Sequence, residues 1–340
     1  MEPTVFVLHF TVNFSKIMSS IILPTGQTFP ILGFGTWNAS PEEIETAVDA
    51  ALEAGYRHID TATAYENEHA IGKVLKRWLD SGRIKRSELF VVTKLPLHGN
   101  RHEDVEKWIE KSLQNLQLDY LDLYLIHTPV TFEDVGELHP YDENGEIRLD
   151  MKTDHVKIWQ AMEQQVVDKR TKAIGLSNFN IAQIQRILNI AKLPVSNLQI
   201  ELHVYFQQNE LVKFCKNTNI SVTAYSPLGT RGFLKKIGKA DTVPDQLENP
   251  TVLEIARKYK KSPAQILLKH IIQKGIVTIP KSTNPTRIKE NIQLFDWELN
   301  PDDVNNLNAL DMGESGRICN FLFFKGITKH PEFPFKDCKE

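Results

Sequence analysis

Short apolar runs rich in β-branched residues alternate with longer amphipathic segments from residue 55 onward, which is the pattern of repeated β-α units. Strands are predicted at 56–60, 89–94, 121–127, 172–177, 198–201, 221–225 and 276–280, with a short eighth candidate at 293–295. Helices are predicted at 41–54, 67–79, 103–116, 154–167, 181–191 and 264–273. Eight such units favour an α/β fold of the closed (β/α)8 TIM-barrel type, and an open doubly wound sheet is the alternative.

Two serine-proline pairs mark helix starts. Ser40 precedes Pro41, and Ser262 precedes Pro263 in the same way. A serine side chain accepts hydrogen bonds from the first free amides of a helix, and proline in the first turn gives up no intrahelical hydrogen bond. These pairs place the start of the first and the last predicted helix.

The chain has no linker rich in Pro, Gly or Ser, so we expect a single domain over residues 21–340. Three long excursions interrupt the β-α pattern, at 129–153, 229–250 and 312–340. Loops of that length are commonly functional, and in a barrel they lie at the carboxyl ends of the strands, where active sites form. We therefore expect long loops at that face to form the walls of a substrate pocket.

Residues 1–20 are predicted to form an N-terminal extension that resembles a weak signal sequence. The stretch contains an apolar run at 5–8 followed by Phe10, Val12 and Phe14, but Glu2 stands where a signal carries basic residues. The apolar run is too short to cross a bilayer. A disordered extension, or an upstream start with the core beginning near Met18, is the preferred interpretation over secretion.

Charge and cysteine content narrow the classes of protein. The 340 residues carry 40 Lys and Arg against 43 Asp and Glu, a formal charge of −3, so no basic surplus attracts nucleic acid or an anionic membrane. Only three cysteines occur and none has CxxC spacing. This indicates neither a disulfide framework nor a cysteine-rich zinc site, no metal is implied, and a cytoplasmic protein is expected.

Familiar catalytic motifs are missing from the sequence. It contains no GxGxxG fingerprint, no GxxxxGK[ST] loop, no HExxH and no GxSxG elbow. Polar residues instead follow the predicted strands: Asp60 and Tyr65, then Lys94, then His127, then the pair Ser177-Asn178. In a barrel, these strand ends converge on one mouth.

Four of these residues, Asp60, Tyr65, Lys94 and His127, together could act as a general-acid site. A neighbouring Lys94 ammonium favours the tyrosinate of Tyr65 and is expected to lower its pKa from about 10. Asp60 is expected to keep Lys94 charged and in place. Tyr65 then gives a proton to a carbonyl oxygen, while neutral His127 donates a hydrogen bond that orients the same oxygen. Taken singly, each of these residues also has an ordinary structural explanation.

Seven ordered stretches carry a family resemblance: GFGTW at 33–37, GYRHIDTATAYENE at 55–68, TKL at 93–95, LDLYLIH at 121–127, IGLSNFN at 174–180, AYSPLG at 224–229 and IPKSTNPTRIKEN at 279–291. On these motifs the chain resembles the aldo-keto reductase superfamily from residue 21 to about 312, among its aldose reductase-like and hydroxysteroid dehydrogenase-like members. The resemblance implies a (β/α)8 barrel that binds extended NADPH without a Rossmann fold. It implies hydride transfer to an aldehyde or ketone, with Asp60, Tyr65, Lys94 and His127 as the catalytic residues and Tyr65 as proton donor.

The same resemblance implies the cofactor contacts. Ser177, Asn178 and Gln199 hold the nicotinamide carboxamide and Tyr225 stacks on the ring; Lys281, Ser282 and Arg287 surround the 2′-phosphate; Glu290 and Asn291 contact adenine; and Thr36, Trp37, Asp60, Ser226 and Leu228 complete the site. An Arg with a Lys and a hydroxyl suits a phosphate group. NADPH is therefore expected in preference to NADH.

The substrate is expected to lie between Trp37, Tyr65, His127 and Thr128. Many family members carry Trp or Phe where this chain has Thr128, which predicts a wider pocket. The C-terminal excursion is dense in aromatic residues, with Phe321, Phe323, Phe324, Phe333 and Phe335. Contact of this loop with an apolar substrate is the favoured interpretation, and packing outside the barrel is the alternative.

These features lean toward a bulky or apolar carbonyl substrate, such as a steroid-like ketone of the 3-dehydroecdysteroid kind that some insect members reduce. A broad-specificity aldose or aldehyde reductase is the alternative within the enzyme class. A barrel that binds NADPH without turnover is the alternative outside it, because a fold alone does not fix function. A monomer is expected, since monomers are common in this part of the family.

Overall fold

The computed structural model describes residues 20–236, 238 and 242–335 of the chain. The predicted N-terminal extension therefore lies outside the described residues, except that Ser20 already opens the first strand. The cysteine at position 338 also lies outside them. Within the described residues, no helix combines the length and apolar character that crossing a membrane requires.

Eight parallel strands form one sheet that closes on itself. In chain order, the strands are β3 (Phe34–Gly35), β4 (His58–Asp60), β5 (Phe90–Leu95), β6 (Leu123–Ile126), β7 (Ile174–Ser177), β8 (Asn197–Glu201), β9 (Ser221–Tyr225) and β10 (Val277–Thr278). Each pairs with its neighbour in sequence order. A parallel bridge between Leu32 and Thr278, with Gly33 N–H donating to Thr278 O at 2.9 Å, joins the last strand to the first. The barrel prediction is confirmed, and the open sheet is excluded.

The predicted eighth strand was misplaced. Residues 293–295 form no strand, because they belong to the turn after the helix that ends at Asn291. The missing barrel strand is β3, which lies within the GFGTW stretch. Two residues are too few to show an alternation of apolar and polar positions, so only the pairing with β4, next to the bridge from Leu32 to β10, reveals this strand.

Helices cover the outside of the barrel. They are α1 (Pro41–Ala54), α2 (Glu68–Asp80), α3 (Val105–Leu116), α4 (His155–Val167), α5 (Ile181–Leu188), α6 (Asn209–Asn217), α7 (Arg231–Lys236), α8 (Pro250–Tyr259), α9 (Pro263–Gln273), α10 (Pro285–Asn291) and α11 (Pro301–Asn308). Both serine-proline predictions are confirmed: Ser40 and Ser262 each accept from the N3 backbone amide and each completes a capping box.

A hairpin closes the amino end of the barrel. Its strands β1 (Ser20–Ile22) and β2 (Thr28–Pro30) pair antiparallel. Phe29 is fully buried and stacks on Phe90, the first residue of β5, with ring centroids 4.3 Å apart. This plug leaves the carboxyl end of the strands as the accessible end of the barrel.

The three long excursions approach that accessible end. The loop at 129–153 follows β6, the loop at 229–250 follows β9, and the C-terminal loop follows α11. Phe324 and Phe333 of the C-terminal loop share a separate hydrophobic cluster with Val130, Phe132 and Ile147. The first and third excursions therefore pack on each other and form one wall.

Candidate active site

Four polar side chains from different elements meet inside the mouth of the barrel. Asp60 ends β4, Lys94 lies in β5, His127 directly follows β6, and Tyr65 ends a 3₁₀ turn that follows β4. Lys94 Nζ lies 2.6 Å from Asp60 Oδ1 and 3.4 Å from Tyr65 Oη. The Tyr65 and His127 rings are in edge contact, with centroids 5.7 Å apart. The four residues singled out in the sequence thus share one site.

The ion pair beneath Tyr65 is sealed from solvent. The side chains of Lys94 and Asp60 are 0% and 2% exposed. Lys94 also donates to Thr61 O at 2.7 Å, and Asp60 Oδ2 accepts from the Gln199 amide at 2.7 Å. Although burial acts against the Lys94 ammonium, the Asp60 carboxylate and Tyr65 more than offset it, so its pKa is raised. Lys94 is therefore a fixed positive charge.

Tyr65 departs from the sequence prediction in one respect. Burial raises the pKa of its hydroxyl, and the nearby Lys94 ammonium opposes that rise without reversing it. The expected net lowering of the pKa is not found, because removing the phenolate from water outweighs a single cation 3.4 Å away. The hydroxyl is consequently protonated at neutral pH, which is the state a proton donor needs.

His127 is neutral, as predicted. Burial, aided by the Lys94 charge, lowers its pKa well below the usual value. Its Nδ1 is buried without a hydrogen-bond partner among the described residues. A buried ring nitrogen without a partner costs less as an acceptor than as an N–H, so the proton belongs on Nε2.

A second set of hydrogen-bonded polar side chains, centred on Asn178, lies beside His127. Asn178, just after β7, donates to His127 O at 2.9 Å and accepts from the Tyr225 hydroxyl at 2.8 Å. It also donates to Ser177 Oγ at 3.1 Å. Asn178 and Ser226 both adopt left-handed backbone conformations, with φ of 64° and 53°. Such backbone strain is held only where the surroundings define it, and it concentrates at functional sites.

The remaining predicted cofactor residues ring the same mouth or lie next to it. Thr36 is buried and donates to Asp60 O at 2.9 Å. Leu228 and Ser226 occupy the turn after β9.

The residues expected around the adenosine end follow the last barrel strand. Lys281 follows that strand and donates to Asn38 O at 2.7 Å. Arg287 lies exposed on α10, where its guanidinium makes no ion pair with a described residue. Ser282 precedes that helix, while Glu290 and the buried Asn291 lie at its end.

The donor set fits NADPH. Lys281, Ser282 and Arg287 supply two cationic side chains and a hydroxyl, which suit a phosphate, and Ser177, Asn178 and Gln199 supply polar side chains that suit a carboxamide. In the excursion at 229–250, the Gln246 amide and the Thr230 hydroxyl are buried and have no hydrogen-bond partner among the described residues. Polar groups left unpaired in this way indicate a polar ligand that is still to be bound. No sequence pattern pointed to Gln246.

The residues expected to line the substrate pocket include aromatic rings that contact one another and a threonine whose hydroxyl is already hydrogen-bonded. Trp37 is half-buried and contacts Phe233 of α7, whose ring in turn contacts Phe323, at centroid distances of 4.9 Å and 5.4 Å. The sequence did not point to Phe233, because no periodic pattern predicted a helix within the excursion at 229–250. Thr128 is buried, and its hydroxyl donates to Val130 O at 2.9 Å, so it presents no free polar group to a ligand.

The fold and the site together define an α/β-barrel enzyme with an acid-base site at the carboxyl end of its strands. A model of the Aldo/keto reductase family matches residues 31–312. Aldo-keto reductase family 1 member A1 from Mus musculus is 44% identical over 325 residues, covering 94% of this chain and 98% of that protein. The Danio rerio protein named member A1-A is 43% identical, covering 93% and 98%.

A solved structure gives the same picture. The structure of the aldose reductase from Schistosoma japonicum matches with a TM-score of 0.86 at 41% identity, covering 94% of this chain and 99% of that one. The chain belongs to the aldo/keto reductase family. It is an NADPH-dependent oxidoreductase that reduces carbonyl compounds.

Proposed function

We propose that this protein reduces aldehydes, and ketones with an apolar substituent, with Tyr65 as the proton donor. The observation that carries this proposal is the buried line of three groups in which Lys94 Nζ joins Asp60 Oδ1 at 2.6 Å and Tyr65 Oη at 3.4 Å. A fixed ammonium beside a protonated phenol stabilises the phenolate that remains after the proton leaves.

Bound NADPH supplies the hydride for this reaction. The Tyr65 hydroxyl gives its proton to the carbonyl oxygen, and neutral His127 donates a hydrogen bond from Nε2 to the same oxygen. Lys94 stabilises the resulting tyrosinate, and Asp60 holds Lys94 in position. The 0% exposure of Lys94 keeps water out of the base of the site, which strengthens each of these electrostatic interactions.

We also propose the cofactor contacts. Ser177, Asn178 and Gln199 hold the carboxamide and Tyr225 stacks on the nicotinamide; Lys281, Ser282 and Arg287 bind the 2′-phosphate; Glu290 and Asn291 contact adenine; and Thr36, Trp37, Ser226 and Leu228 flank the cofactor. The hydrogen bonds that already connect Asn178 to Tyr225 and Gln199 to Asp60 support this arrangement, because they place these side chains before any ligand binds.

The preferred substrate class is a broad range of aldehydes. The solved relative bears the name aldose reductase, which supports aldehyde chemistry. Phe324 and Phe333 are 8% exposed and are used in packing against the loop at 129–153. Much of the aromatic C-terminal loop is therefore structural, which weakens the argument for a bulky substrate that rested on the number of phenylalanines.

A bulky apolar ketone, of the steroid or 3-dehydroecdysteroid kind, is the second candidate. It is favoured by one observation: Phe323 remains 37% exposed while it contacts Phe233, and so offers an apolar surface at the mouth. In this arrangement Trp37, Tyr65 and His127 line the carbonyl end of the pocket, and Thr128 leaves room rather than making a polar contact.

The test is the loss of NADPH absorbance with a small aldehyde, an aldose, an aromatic diketone and a 3-ketosteroid. Turnover is expected with the aldehydes, and Tyr65→Phe is expected to lower kcat by about 10² to 10⁴, the usual contribution of a general acid. The affinity for NADPH, followed by fluorescence quenching, should stay as in the wild type. A Tyr65→Phe enzyme with unchanged kcat contradicts the mechanism. Binding of NADPH without turnover of any substrate favours a non-catalytic barrel.

A further inference from the structure

A buried carboxylate at the carboxyl end of β8 holds the C-terminal loop. Glu201 is the last residue of that strand, and its side chain is 0% exposed. Its Oε1 accepts from Ile318 N–H at 2.7 Å, and its Oε2 accepts from Cys319 N–H at 2.7 Å. Because hydrogen bonds to a charged acceptor are about twice as strong as neutral ones, this pair is a firm attachment point.

A histidine completes the attachment. His203 Nε2 lies 2.9 Å from Glu201 Oε1, and the histidine side chain is also 0% exposed. His203 Nδ1 has no hydrogen-bond partner among the described residues, so the proton belongs on Nε2, which donates to the carboxylate. With three donors, the buried carboxylate has the partners that such a charge requires.

The same part of the loop packs closely on the segment after β8. Met312 N–H donates to Tyr205 O at 2.8 Å, and a Cβ at Gly316 would lie only 2.1 Å from that oxygen. The Arg317 guanidinium lies over the Phe206 ring, 4.4 Å from its centroid. The segment at 312–319 is therefore packed too closely on the residues after β8 to shift along them.

The attachment point adjoins the reaction site. Glu201 pairs with Tyr225 in the register of β8 and β9. Cys319 Sγ lies 3.9 Å from Ser226 Oγ, and four residues further along the loop Phe323 contacts Phe233 at the mouth. A slip of one residue at Glu201 would change which side chains of the loop face the carbonyl site.

We propose that Glu201 is a positioning residue that fixes the register of the C-terminal loop and thereby sets which carbonyl substrates the site accepts. This inference rests on the proposed reductase function. A small aldehyde is held by Tyr65 and His127 alone, whereas a larger one extends to the loop. Loss of the attachment therefore affects the larger substrate more.

The test uses Glu201→Gln, which preserves the size of the side chain. The carboxamide has one oxygen acceptor, so its NH₂ group faces one of the two backbone amides and that amide loses its partner. We expect kcat/KM for 4-nitrobenzaldehyde to fall about tenfold and kcat/KM for glyceraldehyde to fall less than about threefold. The Kd for NADPH should be unchanged. Hydrogen exchange of the Ile318 and Cys319 amides should accelerate about tenfold.

Glu163→Gln is the matched control. Glu163 is also a buried carboxylate, and its Oε1 accepts both the Lys192 amide at 2.6 Å and the Leu193 amide at 2.8 Å, ahead of β8 at the opposite end of the barrel. The substitution removes a buried carboxylate there as well, but its carboxamide oxygen keeps both amides, so we expect thermal stability to fall no further than in Glu201→Gln. The ratio of kcat/KM between the two aldehydes should remain that of the wild type.

Gly316→Ala approaches the same question from the loop. The added methyl group meets Tyr205 O and should shift the ratio of kcat/KM between the two aldehydes in the same direction as Glu201→Gln.

Two outcomes would overturn the proposal: equal losses of kcat/KM for both aldehydes, or unchanged hydrogen exchange of the two amides in Glu201→Gln. If the wild type reduces neither aldehyde, the reductase function fails and the claim on substrate choice fails with it. The attachment of the loop is then decided by the exchange rates alone.

Discussion

At the scale of single residues, Lys94 shows how the site is kept charged. A lysine with no exposure to water normally loses its proton, but here one carboxylate and one backbone carbonyl, at 2.6 Å and 2.7 Å, take the place of water. Asp60 in turn accepts from Gln199 at 2.7 Å. Groups from β4 and β8, together with the backbone carbonyl of Thr61, thus maintain the charge that is proposed to stabilise a tyrosinate at Tyr65.

The proposed 2′-phosphate contact gives a residue-scale prediction. Arg287→Met removes an exposed guanidinium that has no described acidic partner, so it should raise KM for NADPH by about ten- to a hundredfold and leave KM for NADH nearly unchanged. Initial rates with the two cofactors at a fixed aldehyde concentration measure this. Lys289→Met, an exposed cation on the same helix, is the control and should alter neither KM. Equal increases for both cofactors in Arg287→Met would refute the assignment.

At the scale of elements, small residues set how closely the helices approach one another. Gly72 of α2 faces α3, and a Cβ at that position would lie 2.1 Å from Asn115 O. Glu68 of the same helix is buried and accepts from Thr93 at 2.6 Å, next to Lys94 in β5. The approach of α2 and α3 therefore supports β5, the strand that carries Lys94.

Gly72→Ala should accordingly destabilise the fold. The methyl group meets backbone rather than a movable side chain, so the free energy of unfolding should fall by about 1 to 3 kcal/mol, as overpacked sites typically show. Urea titration followed by circular dichroism measures the change. Gly232→Ala, at an exposed position of α7 with nothing within 4 Å of the added Cβ, is the control and should stabilise by no more than about 1 kcal/mol. Equal effects of the two changes would contradict the packing argument.

At the scale of the whole molecule, burial of imidazoles makes stability depend on pH. Burial lowers the pKa of His155 and of His270 from 6.5 to about 4, and that of His58 to about 3. His155 lies in α4, His270 lies in α9, and His58 lies in β4 beneath the amino-terminal plug, two residues before Asp60. They remain neutral in the folded chain at pH values at which the unfolded chain is protonated.

Stability is therefore expected to decrease as the pH falls from about 6.5 to about 4. Unfolding takes up protons in this range because the folded pKa values are the lower ones, and each proton contributes about 1.4 kcal/mol per pH unit. Urea midpoints at pH 7, 6 and 5 measure the slope. His270→Gln keeps a donor for Asn308 Oδ1, which lies 2.8 Å from His270 Nε2, and should reduce the slope by about one proton. A profile that is flat between pH 7 and 5 would contradict this expectation.

The sequence by itself determined most of the fold and which four polar residues meet at the mouth of the barrel. Alternating apolar runs and capped helices predicted the barrel, and strand-end positions alone predicted that Asp60, Tyr65, Lys94 and His127 would meet. These are local signals, because the period of a strand, a capping serine and a polar residue after an apolar run all lie within a few neighbouring residues. Strand β3 was missed because two residues carry no period.

Only the tertiary structure decided the interactions that depend on distance. The net direction of the Tyr65 pKa shift required knowing how completely the hydroxyl is buried, which opposes the Lys94 charge. The attachment of Ile318 and Cys319 to Glu201 joins residues more than a hundred positions apart, and no local pattern records it. Burial and hydrogen bonds between distant residues depend on the closed barrel as a whole, so the tertiary structure is needed to see them.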